Sequence, residues 1–207
     1  MTRRQRIQWR WILAYGIVVI LVAGVGIWML NTFTHQAPLP DDQAPPVAID
    51  SLNHIPVYYN GPVNHVGGFS VAKNGYKYGL QWQCVEFVKR YYAEHLGHYM
   101  PDADGNAKDF FDKSLPDASF NEARALVQYE NPSLKKPQVD DIVVFDRSLG
   151  NKYGHIGIIS AVYDNKVEII QQNAGPDAET REFIELQFAD GRWELQHNRV
   201  LGWLRVE

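Results

Sequence analysis

Between Trp11 and Leu30 the chain runs WILAYGIVVILVAGVGIWML, twenty positions without a charged side chain. At 1.5 Å rise per residue, a helix of that length spans the ~30 Å hydrocarbon core of a bilayer. A soluble helix carries a polar stripe, whereas this segment is apolar all round. The pattern predicts one membrane-spanning helix over residues 11–30, with Trp9, Trp11 and Trp28 at interfacial depth. Residues 31–50 hold Pro38, Pro40, Pro45 and Pro46 with Asp41, Asp42 and Asp50, the composition of an extended, solvated tether. A helical period then appears in QCVEFVKRYYAEHL, Gln83 to Leu96. Val85, Val88 and Tyr92 share a stripe there, Phe87 and Tyr91 flank it, and Gly97 supplies the stop. NAKDFFDK, Asn106 to Lys113, predicts a second, short helix with Ala107, Phe110 and Phe111 on one side, ended by Pro116. After Pro137 the texture is β: DIVVFD from Asp141, HIGIISAVY from His155 and KVEIIQQN from Lys166. Asp164-Asn165 suits a two-residue hairpin connection, because both residues tolerate positive φ. A further hairpin is predicted over Arg181 to Phe188 and Trp193 to Gln196, around Asp190-Gly191, and a closing strand from Val200. Helices first and an antiparallel sheet afterwards give an α+β class for residues 51–207.

Charge orients the membrane segment. Arg3, Arg4, Arg6 and Arg10 fall in the basic segment 1–10, and no Lys or Arg follows until Lys73. The positive-inside rule therefore predicts a cytoplasmic N-terminus and an extracytoplasmic, periplasm-facing domain. The apolar run is longer than a signal-peptide core and is followed by Asn31-Thr32-Phe33-Thr34, so an uncleaved anchor is expected. Removing the four arginines and three aspartates before Ser51 leaves 16 basic and 21 acidic residues, a net charge of −5 on the domain. No long-range attraction to phosphate backbones arises, and a nucleic-acid partner is excluded on that ground. With Cys84 as the one cysteine, neither an intrachain disulfide nor a cysteine-rich zinc site can be built.

A lone thiol is either packing or chemistry. Cys84 falls in the first turn of the predicted helix, where unpaired backbone N–H groups and the helix dipole favour a thiolate. Thiol catalysis also needs a base, and His155 stands at a strand start after Gly154. Gln171 and Asn173 lie on the next strand with one parity, whereas Glu168 has the other and should point away. The amide oxygen of Gln171 can accept the imidazole N–H but lacks the charge to stabilise an imidazolium. His95 and His98 have no accompanying carboxylate or cysteine framework, and Asp102, Asp104 and Asn106 depart from EF-hand spacing. No metal and no cofactor are expected.

With these residues in place, YGLQWQCVEFVKRYY (Tyr78 to Tyr92) resembles the nucleophile segment of CHAP-type thiol amidohydrolases, in particular the glutathionylspermidine amidase domain. PQVDDIVVF from Pro137, GHIGIIS from Gly154, IIQQN from Ile169 and VLGWLRV from Val200 are similar to the family's following strands, in order. The resemblance implies a papain-like CHAP domain with N-terminal helices packed on an antiparallel sheet. It makes Cys84 the nucleophile, His155 the general base and Gln171 the third member. The backbone N–H of Cys84 would stabilise the oxyanion, with Gln83 beside that hole and Asn173 at the substrate. Two departures stand out: Gln171 where the family usually has Glu, and Asp140 where it commonly has Gly. Papain-like thiol proteases use an amide as third member, so the first departure is compatible with activity.

The implied reaction is amide hydrolysis through a thioester on Cys84, with no synthetase half expected. The substrate is a peptide or a small amide. An anchored, exported domain meets cell-wall peptides at high effective concentration, whereas the resemblance alone points to a glutathione-polyamine amide. Tyr76, Tyr78, Trp82 and Trp203 are candidates for a groove, although large aromatics are mostly core. A catalytically silent binding module on the same fold is the alternative class.

Overall fold

The computed structural model describes residues 46–62, 65–102, 104–175 and 178–207. The basic segment 1–10, the membrane-spanning helix predicted over 11–30 and residues 31–45 of the predicted tether lie outside the described residues. Among the described residues no helix is long and apolar enough to cross a membrane.

Four short strands precede the helix. β1 (Ala48–Leu52) pairs antiparallel with β2 (Ile55–Tyr58), and β3 (Phe69–Val71) with β4 (Lys77–Leu80). β1 begins inside the stretch read as a tether, and Asp50 accepts from Arg181 at 2.9 Å, so the fold takes in its last three residues. Helix α1 covers Cys84–His95. Eight further strands form one antiparallel sheet: β5 (Ser119–Asn121), β6 (Leu126–Glu130), β7 (Ile142–Phe145), β8 (His155–Val162), β9 (Lys166–Ile170), β10 (Arg181–Ala189), β11 (Arg192–Leu195) and β12 (Val200–Arg205). Their spatial order is β11-β10-β9-β8-β7-β12-β6-β5. Hairpin and closing-strand positions match the alternation read from Asp141 onward. The strands before the helix, and β5 and β6, carry too few alternating positions for that reading to reach them.

The sheet curls toward closure. Past β6, the backbone N–H of Ser133 donates to the Trp193 carbonyl at 3.0 Å, and the N–H of Trp193 donates to the Ser133 carbonyl at 2.7 Å. Asn131 ties the same seam by exchanging side-chain hydrogen bonds with the backbone of Leu195. Both faces are therefore buried, which is why β7 reads as the unbroken apolar run IVVF. Ile142, Val144, Ile156, Ile158 and Ile170 pack with Phe87, Val88, Tyr91 and Tyr92 of α1. Val143, Phe145, Ile159, Ile169 and Trp203 fill the concave side.

Of the two helices expected, one forms: among the described residues the domain is mostly sheet with one α-helix. Over Asn106–Lys113 only a 3-10 turn forms, Ala107–Phe110. Its backbone donors are drawn to other partners: Lys108 N–H to the Tyr153 carbonyl at 3.1 Å, and Asp112 N–H to Oε1 of Gln128 at 2.8 Å. Asp109 caps the turn by accepting from the Asn106 N–H at 2.9 Å. Asp140 adopts φ 74°, a left-handed conformation that glycine adopts without strain. Here its Oδ1 accepts the Tyr91 hydroxyl hydrogen at 2.5 Å and its carbonyl accepts that of Tyr92 at 2.6 Å, so the side chain brings its own compensation.

Candidate active site

Cys84 is the first residue of α1, entered from an extended Gln83. It is half-buried and packs on the cluster that holds Ile156 and Ile158. Burial pushes the thiol pKa up, against the pull of the backbone N–H groups of Ile156, Val85 and Cys84 itself. Burial therefore opposes the thiolate that the helix position favours.

His155 opens β8 opposite Phe145 of β7 and is 8% exposed. Its Nε2 lies 3.0 Å from Oε1 of Gln171. The Gln171 Nε2 donates to the Glu179 carbonyl at 3.2 Å and to Oε2 of Glu182 at 3.4 Å. Both of those partners only accept, so the amide has one orientation and its oxygen faces the ring. The ring hydrogen sits on Nε2, which leaves Nδ1 as the basic nitrogen. Burial lowers the His155 pKa to about 4, with the Gln171 hydrogen bond opposing and the Arg199 charge reinforcing. A thiol pKa raised by burial and an imidazole pKa lowered by it suit general-base activation rather than a standing ion pair.

Glu182 also gives a physical reason for glutamine at position 171. A glutamate there would face the Glu182 carboxylate across the distance that Nε2 now bridges. Gln171→Glu is expected to raise the His155 pKa and move the acid limb of any activity toward neutral pH, with a loss of stability. Adding Glu182→Gln should recover most of that stability and keep the pH shift. A pH–rate profile with thermal melts of both variants checks this; an unmoved acid limb would sink it.

Gly154 sets the ring's entry. Its φ is +74°, and a Cβ there would lie 2.5 Å from the Phe145 carbonyl oxygen and 2.8 Å from the Lys108 Cβ. Gly154→Ala is expected to cost about 2–3 kcal/mol, combining left-handed strain with displaced backbone, measured as a shift in the urea midpoint.

The two remaining predicted residues meet each other, not the ring. Asn173 Nδ2 donates to Oε1 of Gln83 at 2.7 Å, and Gln83 Nε2 donates to the His65 carbonyl at 2.9 Å. β9 ends at Ile170, so residues 171–173 lie beyond the strand and parity does not govern them; Asn173 turns at φ 54°. Glu168 points away as expected, to Ser160 at 2.7 Å and Arg181 at 2.7 Å.

Sequence reasoning missed the scaffold beneath. Gln172 is buried. Its Oε1 accepts from the Tyr58 N–H at 2.7 Å, and its Nε2 donates to the Gln83 carbonyl and to Oε2 of Glu86, both at 3.0 Å. It bolts the end of β9 to the start of α1. Asn60 holds the segment carrying His65 by donating to that carbonyl at 3.2 Å and accepting from the Trp82 N–H at 3.0 Å. Nothing in an isolated Asn or a second Gln of IIQQN distinguishes these roles before the fold is known.

His95 and His98 do not meet. His95 contacts Asn53 at 3.0 Å, and His98 contacts the Arg124 carbonyl at 2.9 Å. Tyr78 and Trp203 are core, Tyr76 is half-buried with its hydroxyl accepting from the Met100 N–H, and Trp82 packs on Tyr58 at 4.4 Å.

Residues 71–173, from β3 to just past β9, match the family model described as the CHAP domain. The chain carries a CHAP domain. Cys84, His155 and Gln171 all fall inside the matched span. Trypanothione synthetase of Crithidia fasciculata is 30% identical over 161 residues, covering 73% of this chain and 25% of that protein. Glutathionylspermidine synthase of the same organism is 30% identical over 63% of this chain and 20% of its own length. The bifunctional glutathionylspermidine synthetase/amidase of Escherichia coli (strain K12) is 29% identical over 61% and 22%. The chain thus spans a quarter or less of the length of these relatives.

Proposed function

We propose that this CHAP domain is a papain-like thiol amidohydrolase with Cys84 as nucleophile, His155 as general base and Gln171 as the residue that orients the ring. The observation that carries the reading is the fixed Gln171 amide, which puts the ring hydrogen on Nε2 and frees Nδ1. The Cys84 sulfur attacks the amide carbonyl carbon as Nδ1 takes the thiol proton, forming the S–C bond. The backbone N–H of Cys84 and a hydrogen of the Gln83 amide stabilise the oxyanion. The imidazolium gives its proton to the leaving nitrogen as the C–N bond breaks. Water, deprotonated by the same Nδ1, then cleaves the thioester and the thiol is restored.

The topology of the reading is a cytoplasmic basic segment, a helix over residues 11–30 in the membrane, a tether and an extracytoplasmic catalytic domain. Peptide cross-bridges of the cell wall are the substrates within its reach. The second reading, hydrolysis of a glutathione-polyamine amide, is favoured by the name of the bifunctional synthetase/amidase relative.

The test compares the full chain with its Cys84→Ala variant on purified peptidoglycan and on glutathionylspermidine, with new amines followed by mass spectrometry. Release from one substrate that disappears with Cys84 establishes the hydrolase and chooses between the readings. No release from either points to a silent binding module.

A further inference from the structure

Beside His155 lies a cavity of about 260 Å³ whose wall includes His155, Gln171, Phe145, Glu182, His197 and Arg199. Cys84 is not on that wall. In acyl transfer the carbonyl carbon sits on the sulfur and the leaving nitrogen sits at the imidazole that protonates it. The cavity borders the imidazole and Gln171 and not the sulfur.

The wall presents donors. Arg199 is half-buried and has no ion-pair partner among the described residues; its guanidinium stands 5.9 Å from the Phe145 ring centre. His197 accepts the Arg199 backbone N–H at its Nδ1, at 3.2 Å, which places its ring hydrogen on Nε2. Glu182, the one carboxylate on this wall among the described residues, accepts from the Gln171 amide. A guanidinium with a neighbouring imidazole N–H is the chemistry that recognises a carboxylate.

Resting on the amidohydrolase reading, we propose that this cavity receives the amine half of the scissile amide, and that Arg199 and His197 select a leaving group carrying a carboxylate. The leaving group is then an amino acid or peptide rather than a bare polyamine cation, which Arg199 repels.

Binding to the full chain carrying Cys84→Ala separates this proposal from turnover. The probes are L-alanyl-L-alanine, its C-terminal carboxamide and spermidine, measured by calorimetry. The dipeptide is expected to bind at least about tenfold more tightly than either other probe. Arg199→Met should reduce it to the level of the carboxamide without moving the melting temperature, and Arg199→Lys should keep part of the preference. Equal binding of all three probes, tighter binding of spermidine, no detectable binding of the dipeptide, or a preference surviving in Arg199→Met would overturn it. Cys84-dependent hydrolysis is scored separately on the wild-type chain. A failed hydrolysis with intact Arg199-dependent binding thus removes the enzyme reading while the carboxylate site stands.

Discussion

His155→Asn is expected to lower amide hydrolysis by about 10³-fold or more, the scale at which a thiol or hydroxyl nucleophile depends on its base. The same change should flatten the acid side of the stability curve. The ring is buried and its pKa falls from 6.5 to about 4 on folding. Above pH 6.5 the ring is neutral in both states and has no proton-linked effect. As the pH drops from 6.5 to 4, the unfolded chain takes up a proton that the folded one refuses, and stability is lost. At about 1.4 kcal/mol per pKa unit the full loss is roughly 3 kcal/mol. Urea unfolding of both chains at pH 7.5, 5.5 and 4 reads the difference, with the carboxylates common to both cancelling. Parallel curves would show a solvated ring, and general-base activation by a neutral, desolvated imidazole would fall with it.

The parts of this site that lie on regular elements were legible from the sequence. Cys84 at a helix start and His155 at a strand start follow from period and punctuation, since the 3.6 and 2.0 repeats are local properties of the chain. Gln171 was reachable because an imidazole needs an acceptor. Its rigidity was not, because it depends on Glu179 and Glu182, which come from the far side of a loop and the next strand. The burial that opposes a Cys84 thiolate was hidden for a related reason. A helix terminus is visible in sequence, whereas the desolvation that opposes it comes from a core cluster that includes Ile156 and Ile158, distant in sequence. The second helix did not form because Gln128, distant in sequence, claims the Asp112 N–H that a helix would have bonded to the Lys108 carbonyl.

Glu86→Ala is expected to destabilise the domain by about 3–5 kcal/mol, the cost of leaving a buried charge without its partner. Glu86 is fully buried one helical turn before Arg90, whose Nε donates at 2.7 Å and Nη2 at 3.2 Å. Ser70 and Gln172 each add a donor at 3.0 Å. Arg90 has Pro56 as a further acceptor and lies over Tyr58, but its Nη1 has no hydrogen-bond partner among the described residues. Without Glu86 the guanidinium would keep one backbone carbonyl as its hydrogen-bond acceptor in a dry interior. For a domain of this size the melting temperature should fall on the order of 10 °C. The double change Glu86→Leu with Arg90→Met removes both charges and should cost less than Glu86→Ala alone, because an apolar pair of similar volume replaces two desolvated ions. Activity should separate the two variants from a purely structural account. Glu86 holds Gln172, and Gln172 holds the carbonyl that precedes Cys84, so both variants should lower kcat well below their melting temperatures even where the double variant stays folded. A double variant as unstable as the single one would mean that the pair contributes shape rather than charge. Full kcat in that variant would mean that Gln172 positions the helix start without help from Glu86.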